Sequence, residues 1–336
     1  MRYSRTANAI TMTTMHFKLG YFERFMSADA TVRRRRTALA WVGAFAGALG
    51  GAGCGSGDPP GATPHDAVGS GEDAVSPTQD AVTGSEVYCT GSPCRLSWKG
   101  VQWNVSSGSH AGGGTAQSIV TSDRNFYVDS ATGYLHTRIS KNGGAQWNTA
   151  EAFATTNTGF GTYQYVVHGR LDDLGDIGIV WSGHLYGPAS DVGADGENEI
   201  DVEFSFWNNE GDFGPQANNV DVNSWPSTGH ATGSPSWQGD YKLAQQGVTD
   251  TTVRIVWSST SIRYYLMNGV VPVTGEPTQL AIPAITYAPT NPTTAIPQSP
   301  IPFGFNHWIY NHVPPSTWNT GADQDITITD YVFVPQ

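Results

Sequence analysis

The chain has few charged residues, and cations are the scarcest of them. Only 14% of its 336 residues are charged. After Cys54 it carries 9 Lys and Arg against 27 Asp and Glu, a formal charge of −18. Proteins that bind nucleic acids or acidic polysaccharides need a basic patch, and this part of the sequence has none. No nucleic-acid partner is therefore expected, and an uncharged ligand fits the composition best.

Cysteine is also scarce, with three in the whole chain. Cys54 belongs to the N-terminal segment described below. Cys89 and Cys94 flank a turn that contains Gly91 and Pro93, and no further Cys or His pair accompanies them. A metal site is the poorer interpretation for that reason. In an exported protein, a Cys89–Cys94 disulfide across the turn is expected.

The sequence has no apolar run of a length that is typical for a membrane span. Residues 37–53 form a run of 17 residues with several glycines, which is short for a span. The run follows four arginines, 33–36, and ends in small residues before Cys54, as in an export signal. Residues 1–54 are therefore predicted to be an export signal of the lipoprotein type, with Cys54 as the lipidated residue. Gly51 stands where such signals usually carry an aliphatic residue, so ordinary cleavage near this site is the alternative.

Residues 55–86 are dominated by Gly, Pro, Ser, Thr, Ala and acids, and they lack aromatic residues. Asp-Ala-Val recurs at 66–68, 73–75 and 80–82, but no apolar pair fills each heptad, so a coiled coil is excluded. The composition predicts a disordered tether. Such a tether would hold a folded domain away from a membrane to which only the lipid is attached.

Residues 87–336, about 250 in number, suit one large domain. They show no convincing helical periodicity. Short alternating runs recur between Gly, Asn, Asp and Pro residues, which is typical of a β-sandwich. The predicted strands include 133–139, 162–171, 177–181, 199–206, 252–257, 261–267 and 325–334.

The most informative segment is Glu199-Ile200-Asp201-Val202-Glu203, in which three acids alternate with two β-branched residues. Strand periodicity places the three carboxylates on one face. The two glutamates are about 13 Å apart at Cα, and side chains that lean together could approach the ~5–5.5 Å carboxyl separation of a retaining glycosidase. Like charges on one face repel, so a purely structural strand has no reason to carry them. A solvated acidic edge strand and a cation site are the alternatives.

The Glu-x-Asp-x-Glu pattern resembles the active-site strand of glycoside hydrolase family 16, which includes lichenases, laminarinases and xyloglucan-modifying enzymes. Other segments resemble the family in the same order, and they are 98–108, 128–138, 150–153, 160–165, 257–269, 306–308 and 330–334. The resemblance implies an all-β, two-sheet antiparallel jelly-roll sandwich of the concanavalin A type with a concave substrate cleft. It also implies that Glu199 is the nucleophile, Asp201 an auxiliary acid and Glu203 the general acid/base, with no cofactor required.

Three positions depart from the family pattern. Gln164 replaces a glutamate, which weakens a structural contact. Asn268-Gly269 replaces Asp-Gly at the end of a strand pair, an equally good hairpin turn. Asp221 replaces a glutamine of a Val-Gln-x-Asn strand, which alters one polar contact.

Matched positions imply a set of substrate-binding residues. The eleven Trp and fourteen Tyr of the chain suit a sugar cleft, because aromatic rings stack on pyranose rings; burial in a core is the alternative. The expected contacts are Glu151, Trp181, Asn223, Asn306 and Trp308, with His184, Tyr186 and Trp225 as further cleft positions. Asp191, Asp195 and Glu197 could hold a structural calcium ion, but their spacing is not that of an EF-hand, and a solvated acidic loop is preferred.

The expected activity is retaining endo-hydrolysis of a neutral β-glucan by double displacement. The acid pattern has no inserted residue, which favours the lichenase and xyloglucan branch and hence β-1,3-1,4-glucan. The segment 208–219 is longer than the lichenase connection, and loops at a cleft mouth set specificity. The alternatives are a transglycosylase, a non-catalytic carbohydrate-binding module and a structural envelope lipoprotein. A monomer in the cell envelope or outside the cell is expected.

Overall fold

The computed structural model describes residues 86–108, 119–141, 147–174, 178–187, 196–205, 218–309 and 324–336. The predicted export signal and almost all of the predicted tether lie outside these residues, and so does most of segment 208–219. In the described ranges, no helix has both the length and the apolar character needed to cross a membrane.

The described residues form seventeen strands and one helical turn. The strands are β1 (Glu86–Tyr88), β2 (Arg95–Trp98), β3 (Val101–Val105), β4 (Ile119–Thr121), β5 (Phe126–Asp129), β6 (Leu135–Lys141), β7 (Trp147–Ala154), β8 (Gly161–Gly169), β9 (Ile179–Tyr186), β10 (Glu199–Ser205), β11 (Val220–Ser224), β12 (Trp237–Tyr241), β13 (Thr249–Trp257), β14 (Ile262–Asn268), β15 (Ile285–Tyr287), β16 (Phe303–Ile309) and β17 (Gln324–Pro335). The helical turn, α1 (Pro292–Ala295), precedes β16.

The strands are arranged in two antiparallel layers. Sheet 1 has the order β1-β5-β6-β17-β8-β13-β14-β15. Sheet 2 has the order β2-β3-β7-β16-β9-β10-β11-β12. Strands β6 and β7 pair where the layers meet, and β4 adds to β7 in parallel. The prediction of an all-β sandwich of two antiparallel sheets is confirmed.

The core lies between the two sheets and is rich in aromatic rings. Tyr165 on β8 contacts Trp181 on β9 and Phe305 on β16, with ring centroids 5.9 and 5.4 Å apart. A Cβ at Gly183 would lie 2.5 Å from the Tyr165 ring, so only glycine allows this close approach of the sheets. Each large apolar side chain that is fully buried stabilises the fold by about 1.5–3 kcal/mol, because its surface is removed from water. These contacts fix which face of sheet 2 points away from the core.

Sheet 1 carries a compact polar cluster around Asp325 on β17. Tyr127 donates a hydrogen bond to Asp325 Oδ2 at 2.7 Å, and His136 Nδ1 lies 2.6 Å from Oδ1. Arg138 also donates to Oδ2 at 3.2 Å and lies over the Tyr127 ring. The carboxylate therefore ties β5 and β6 to β17.

The predicted strands agree with the structure except at their ends. The largest difference is at the predicted strand 177–181, which extends as β9 to Tyr186. The β13–β14 hairpin closes at 258–261, between the two predicted strands, where the Ser258 N–H donates to Ser261 O. Asn268-Gly269 stands at the end of this strand pair, as predicted, but it forms no two-residue hairpin, because the Asn268 N–H donates to Gln279 O.

Candidate active site

Strand β10 presents its acids on the face of sheet 2 that points away from the core. Ile200, Val202 and Phe204 are fully buried against sheet 1. Glu199, Asp201 and Glu203 alternate with them and therefore project from the opposite face. The core side of the strand thus fixes the orientation of the three carboxylates.

Cross-strand pairing places Glu203 in a row of polar side chains. Its partner on β9 is Ser182, and its partner on β11 is Asp221. The row continues from Ser182 to Asn306 on β16 and then to Glu151 on β7. Glu203 is therefore flanked by a hydroxyl on one side and a carboxylate on the other.

A second row passes through Asp201. His184 on β9 and Asn223 on β11 are its partners, and Gly304 on β16 is the next residue along. A Cβ at Gly304 would lie 2.6 Å from the Phe153 ring, so only glycine fits at this position beside His184. The Oδ1 atom of Asn223 is buried and has no hydrogen-bond partner among the described residues. A polar atom in that position is available to a ligand that enters the face.

The acids of β10 hold protons more strongly than isolated carboxyls do. Burial raises the pKa of Asp201 well above its ordinary value, and the charges of Glu199, Glu203 and Asp221 and a hydrogen bond with Glu199 raise it further. Burial likewise raises the pKa of Glu203, followed by the charges of Asp221 and Glu199. In the described part of the chain, no ion pair joins Asp201 or Glu203 to a lysine or an arginine.

His184 is a neutral member of this face. Burial lowers the pKa of its imidazole to about 3. Its Nδ1 atom lies 3.0 Å from Ser182 Oγ, which itself donates to Asn306 Oδ1 at 2.7 Å. Because the Ser182 proton is directed to Asn306, Nδ1–H of His184 is the donor to Ser182, and the tautomer is fixed. His184 is therefore a positioned polar group rather than a base.

Three of the other predicted contacts lie on the same face. Glu151 is buried and accepts a hydrogen bond from Ser106 Oγ at 2.8 Å. Trp308 has the same strand parity as Asn306, and the indole is mostly buried. Tyr186 is partly exposed and packs near Phe153 at 6.3 Å. These residues line the side of β10 towards β16 and β7.

The prediction that Trp181 stacks on a sugar is wrong. Trp181 is 0% exposed and lies in the core, where its indole N–H donates to Thr137 at 3.0 Å. Its cross-strand partner is Phe204, which faces sheet 1. Residues at odd positions of β9 therefore point into the core. His184 and Tyr186 point to the face of sheet 2 that carries the acids of β10, called the acidic face below.

On the β11 side, Asn223 and Trp225 lie on the same face of sheet 2 as the acids of β10. Trp225 is almost fully buried, and its ring lies 3.6 Å from the position of a Cβ at Gly196. Gly196 has a φ of +85°, which favours glycine, and it lies shortly before β10. Tyr264 of sheet 1 donates to the carbonyl of Asn223 at 2.7 Å and so holds β11 in place.

The predicted disulfide is present, whereas the possible calcium site is described only in part. Cys89 and Cys94 form a disulfide with an S–S distance of 2.00 Å. Of the possible calcium ligands, Asp191 and Asp195 lie outside the described residues. Glu197 is buried and accepts the backbone N–H of His230 at 3.1 Å.

Sequence reasoning missed three members of the site. Ser182 links Asn306 to His184, Gln238 donates to Asp221 Oδ2 at 2.6 Å, and Ser106 holds Glu151. Ser182 could have been found from strand parity, because it lies two residues before His184. Gln238 and Ser106 come from distant segments that no local pattern connects to β10.

Comparison with known proteins supports the architecture. No known family model matches the chain. No curated protein matches its sequence. A β-glucanase of Bacillus licheniformis aligns with 76% of this chain and 100% of its own, at 18% identity and a TM-score of 0.50. A glycoside hydrolase family 16 endo-glucanase of Bacteroides ovatus aligns with 71% of this chain and 97% of its own, at 11% identity and a TM-score of 0.50. These likenesses confirm the predicted jelly-roll fold.

Proposed function

We propose that the protein is a retaining, endo-acting glycoside hydrolase that cleaves a neutral β-glucan by double displacement. One observation carries the proposal. Three acids alternate along β10 on the face that points away from the core, and burial and neighbouring charges raise the pKa of two of them, Glu203 and Asp201. Retaining hydrolysis requires one ionised carboxylate and one protonated carboxyl on either side of the scissile bond. Alternating positions on one strand supply both groups.

In the first step, Glu203 donates its proton to the glycosidic oxygen while Glu199 attacks the anomeric carbon. The C–O bond to the leaving sugar breaks, and a covalent bond to Glu199 forms. A raised pKa suits Glu203 to this role, because a carboxyl that is ionised at neutral pH has no proton to give.

In the second step, Glu203 removes a proton from water, and the water oxygen displaces Glu199 from the anomeric carbon. The configuration at that carbon is inverted twice and is therefore retained. Asp201 lies between the two glutamates and is hydrogen-bonded to Glu199. A protonated Asp201 that donates to Glu199 would orient the nucleophile and moderate its charge.

The proposed substrate is β-1,3-1,4-glucan. Two structures with this fold are named as a β-glucanase and an endo-glucanase. The low cation content after Cys54 fits an uncharged polymer. Asn223, with its unpartnered buried Oδ1, and the Ser182–Asn306 pair offer groups that hydrogen-bond sugar hydroxyls. We also propose export, because the predicted signal would place the enzyme where such polymers occur.

The test is release of reducing ends by the purified chain from lichenan, laminarin, xyloglucan and agarose. We expect turnover on lichenan, with short products whose new reducing ends first appear as the β-anomer in NMR spectra. Glu199→Gln should abolish release but keep glucan binding. Glu276→Gln is the matched control, because Glu276 is exposed and lies outside β10.

The outcomes separate the alternatives. Turnover on another polymer of the panel would keep the mechanism and change the substrate. Products longer than the substrate would identify a transglycosylase. Glucan binding without release, unaffected by Glu199→Gln, would refute the proposal in favour of a binding module.

A further inference from the structure

A fourth carboxylate, Asp221 on β11, faces the general acid candidate Glu203. The two residues are direct cross-strand partners in the β10–β11 ladder. Asp221 is 2% exposed, so its carboxylate is nearly removed from water. A buried acid beside another acid destabilises the folded chain unless a cation compensates for its charge, so such a pair is expected mainly at functional sites.

The backbone hydrogen bonds define how close the two residues are. Trp225 N–H donates to Glu199 O, and Ser205 N–H donates to Asn219 O. Hydrogen-bonded pairs alternate along an antiparallel ladder, so Glu203 and Asp221 form such a pair, with Cα atoms about 5.5 Å apart. Their side chains leave the sheet on the same face and lie side by side.

In the described part of the chain, Glu203 forms no ion pair with a lysine or an arginine. Glu203 faces Ser182 on β9, Asp221 on β11 and Asp201 on its own strand. The next residues in its row are Asn306 on one side and the exposed Asp240 on the other. Glu199 also acts on Glu203 through its charge. The charged neighbours of Glu203 are therefore all acidic.

The side-chain amide of Gln238, on the next strand, binds Asp221. Gln238 Nε2 donates to Asp221 Oδ2 at 2.6 Å. A hydrogen bond to a carboxylate stabilises its ionised form. When two adjacent carboxyls share one proton, a donor to one of them places the proton on the other. The Gln238 amide thus favours ionised Asp221 and protonated Glu203.

We propose that Asp221 is a positioning residue that keeps the proton on Glu203 until the glycosidic oxygen takes it. The inference rests on the proposed function, and it assigns to Asp221 a role that the nucleophile and the acid alone do not fill. Burial is the main cause of the raised pKa of Glu203, and the charge of Asp221 is the next.

The same pair serves both halves of the cycle. When Glu203 passes its proton to the leaving oxygen, Glu199 becomes a neutral ester, and Glu203 and Asp221 are both ionised. Their repulsion makes Glu203 a stronger base towards the incoming water. Transfer of the water proton to Glu203 then restores one proton to the pair, and Glu199 leaves as a carboxylate.

The test is the pH dependence of kcat/KM for the wild type, Asp221→Asn and Asp240→Asn. The alkaline limb reports loss of the proton from the general acid. Asp221→Asn should move this limb to lower pH by one unit or more, which is about a tenfold loss of activity above the limb, with activity at low pH retained. Asp240→Asn is the matched control, because it removes an exposed carboxylate from the same row and should leave the limb in place.

Further variants separate charge from structure. Asp221→Glu, which keeps the charge, should return the limb towards that of the wild type. If Asp221→Asn unfolds in thermal scans, Asp221→Ser removes the charge with a smaller side chain. An unmoved limb in a folded neutral variant overturns the inference.

A direct titration of Glu203 makes the inference independent of turnover. The carboxyl carbon of Glu203 can be followed by 13C NMR, with Glu203→Gln to assign the signal. The inference predicts that Asp221→Asn lowers the titration midpoint. If the chain cleaves no glucan but the midpoint falls, the proposed function fails while the electrostatic pair stands. If the chain cleaves glucan and neither limb nor midpoint moves, the function stands and the role of Asp221 is refuted.

Discussion

Asp201 on sheet 2 and Asp325 on sheet 1 both lie on interior strands, but their neighbours are opposite in kind. Burial would raise the pKa of Asp325, yet hydrogen bonds from His136 and Tyr127 and the charges of His136 and Arg138 lower it below its ordinary value. Burial and three acids raise the pKa of Asp201 instead. The side chain of Asp325 is partly exposed, whereas Asp201 is buried.

The difference in pKa separates two kinds of acid. The ionised form of Asp325 stabilises the fold, whereas Asp201 and Glu203 retain their protons more strongly than isolated carboxyls do. Asp325 receives donors from two neighbouring strands, so its ionised form stabilises the folded chain. In the described part of the chain, no lysine or arginine forms an ion pair with Asp201 or Glu203, so the ionisation of these two acids costs folding free energy. Functional sites commonly carry such locally unfavourable arrangements, which the rest of the fold offsets.

The largest expected effect is on catalysis at sheet 2. Glu203→Gln removes the proton donor and should lower kcat/KM on the cleaved glucan by about 10²–10⁴-fold. Asp325→Asn should leave kcat/KM within about twofold, because the described hydrogen-bond partners of Asp325 all lie on sheet 1. Reducing-end assays of both purified variants check this, and comparable losses in the two would break the comparison.

The next effect is on stability at sheet 1. Asp325→Asn removes the charge that Arg138 and His136 face, and we expect the free energy of unfolding to fall by about 1–3 kcal/mol. Urea denaturation followed by tryptophan fluorescence measures it. Asp330→Asn is a suitable control, because Asp330 lies on the same strand in an exposed ion pair with Lys99, and such pairs contribute about 0–1 kcal/mol.

The effect of Asp325 should also depend on pH in a defined direction. Its pKa in the folded chain is lowered, so its contribution is complete above the unfolded value of about 3.9 and is lost as the pH falls through the folded value. The difference in unfolding free energy between the wild type and Asp325→Asn should therefore be larger at pH 5 than at pH 3. A difference that grows in acid would contradict the assigned cause.

Much of sheet 2 could be predicted from sequence, but the face that each residue occupies could not always be. Strand β10 alternates because its core side is apolar and its open side acidic, so its pattern is unambiguous. Strand β16 is buried on both faces, so Phe303 to Ile309 shows no alternation of polar and apolar residues, and the sequence predicts no strand there beyond the resemblance of 306–308.

Trp181 shows what parity adds to a residue-by-residue match. Trp181 cannot share a face with His184 and Tyr186 on one strand, because odd and even positions point to opposite sides. Which of the two sets faces Glu203 depends on the β9–β10 register, which pairs Ser182 with Glu203 and His184 with Asp201. The roles of Gln238 and Ser106 depend on pairings between distant segments, which sequence patterns do not encode.

The smallest expected effect concerns the stability of sheet 2 and has the opposite sign to that of Asp325. The raised pKa of Glu203 means that the folded chain binds this proton more tightly than the unfolded chain does, so ionisation above neutral pH destabilises the fold. Glu203→Gln removes that charge from beside Asp201 and Asp221, and we expect a gain of about 0.5–1 kcal/mol in unfolding free energy at pH 8. The gain should shrink at pH 4, where Glu203 is protonated in the wild type as well. Urea denaturation at both pH values measures it, and a loss of stability at pH 8 would show that the row of acids is not under electrostatic strain.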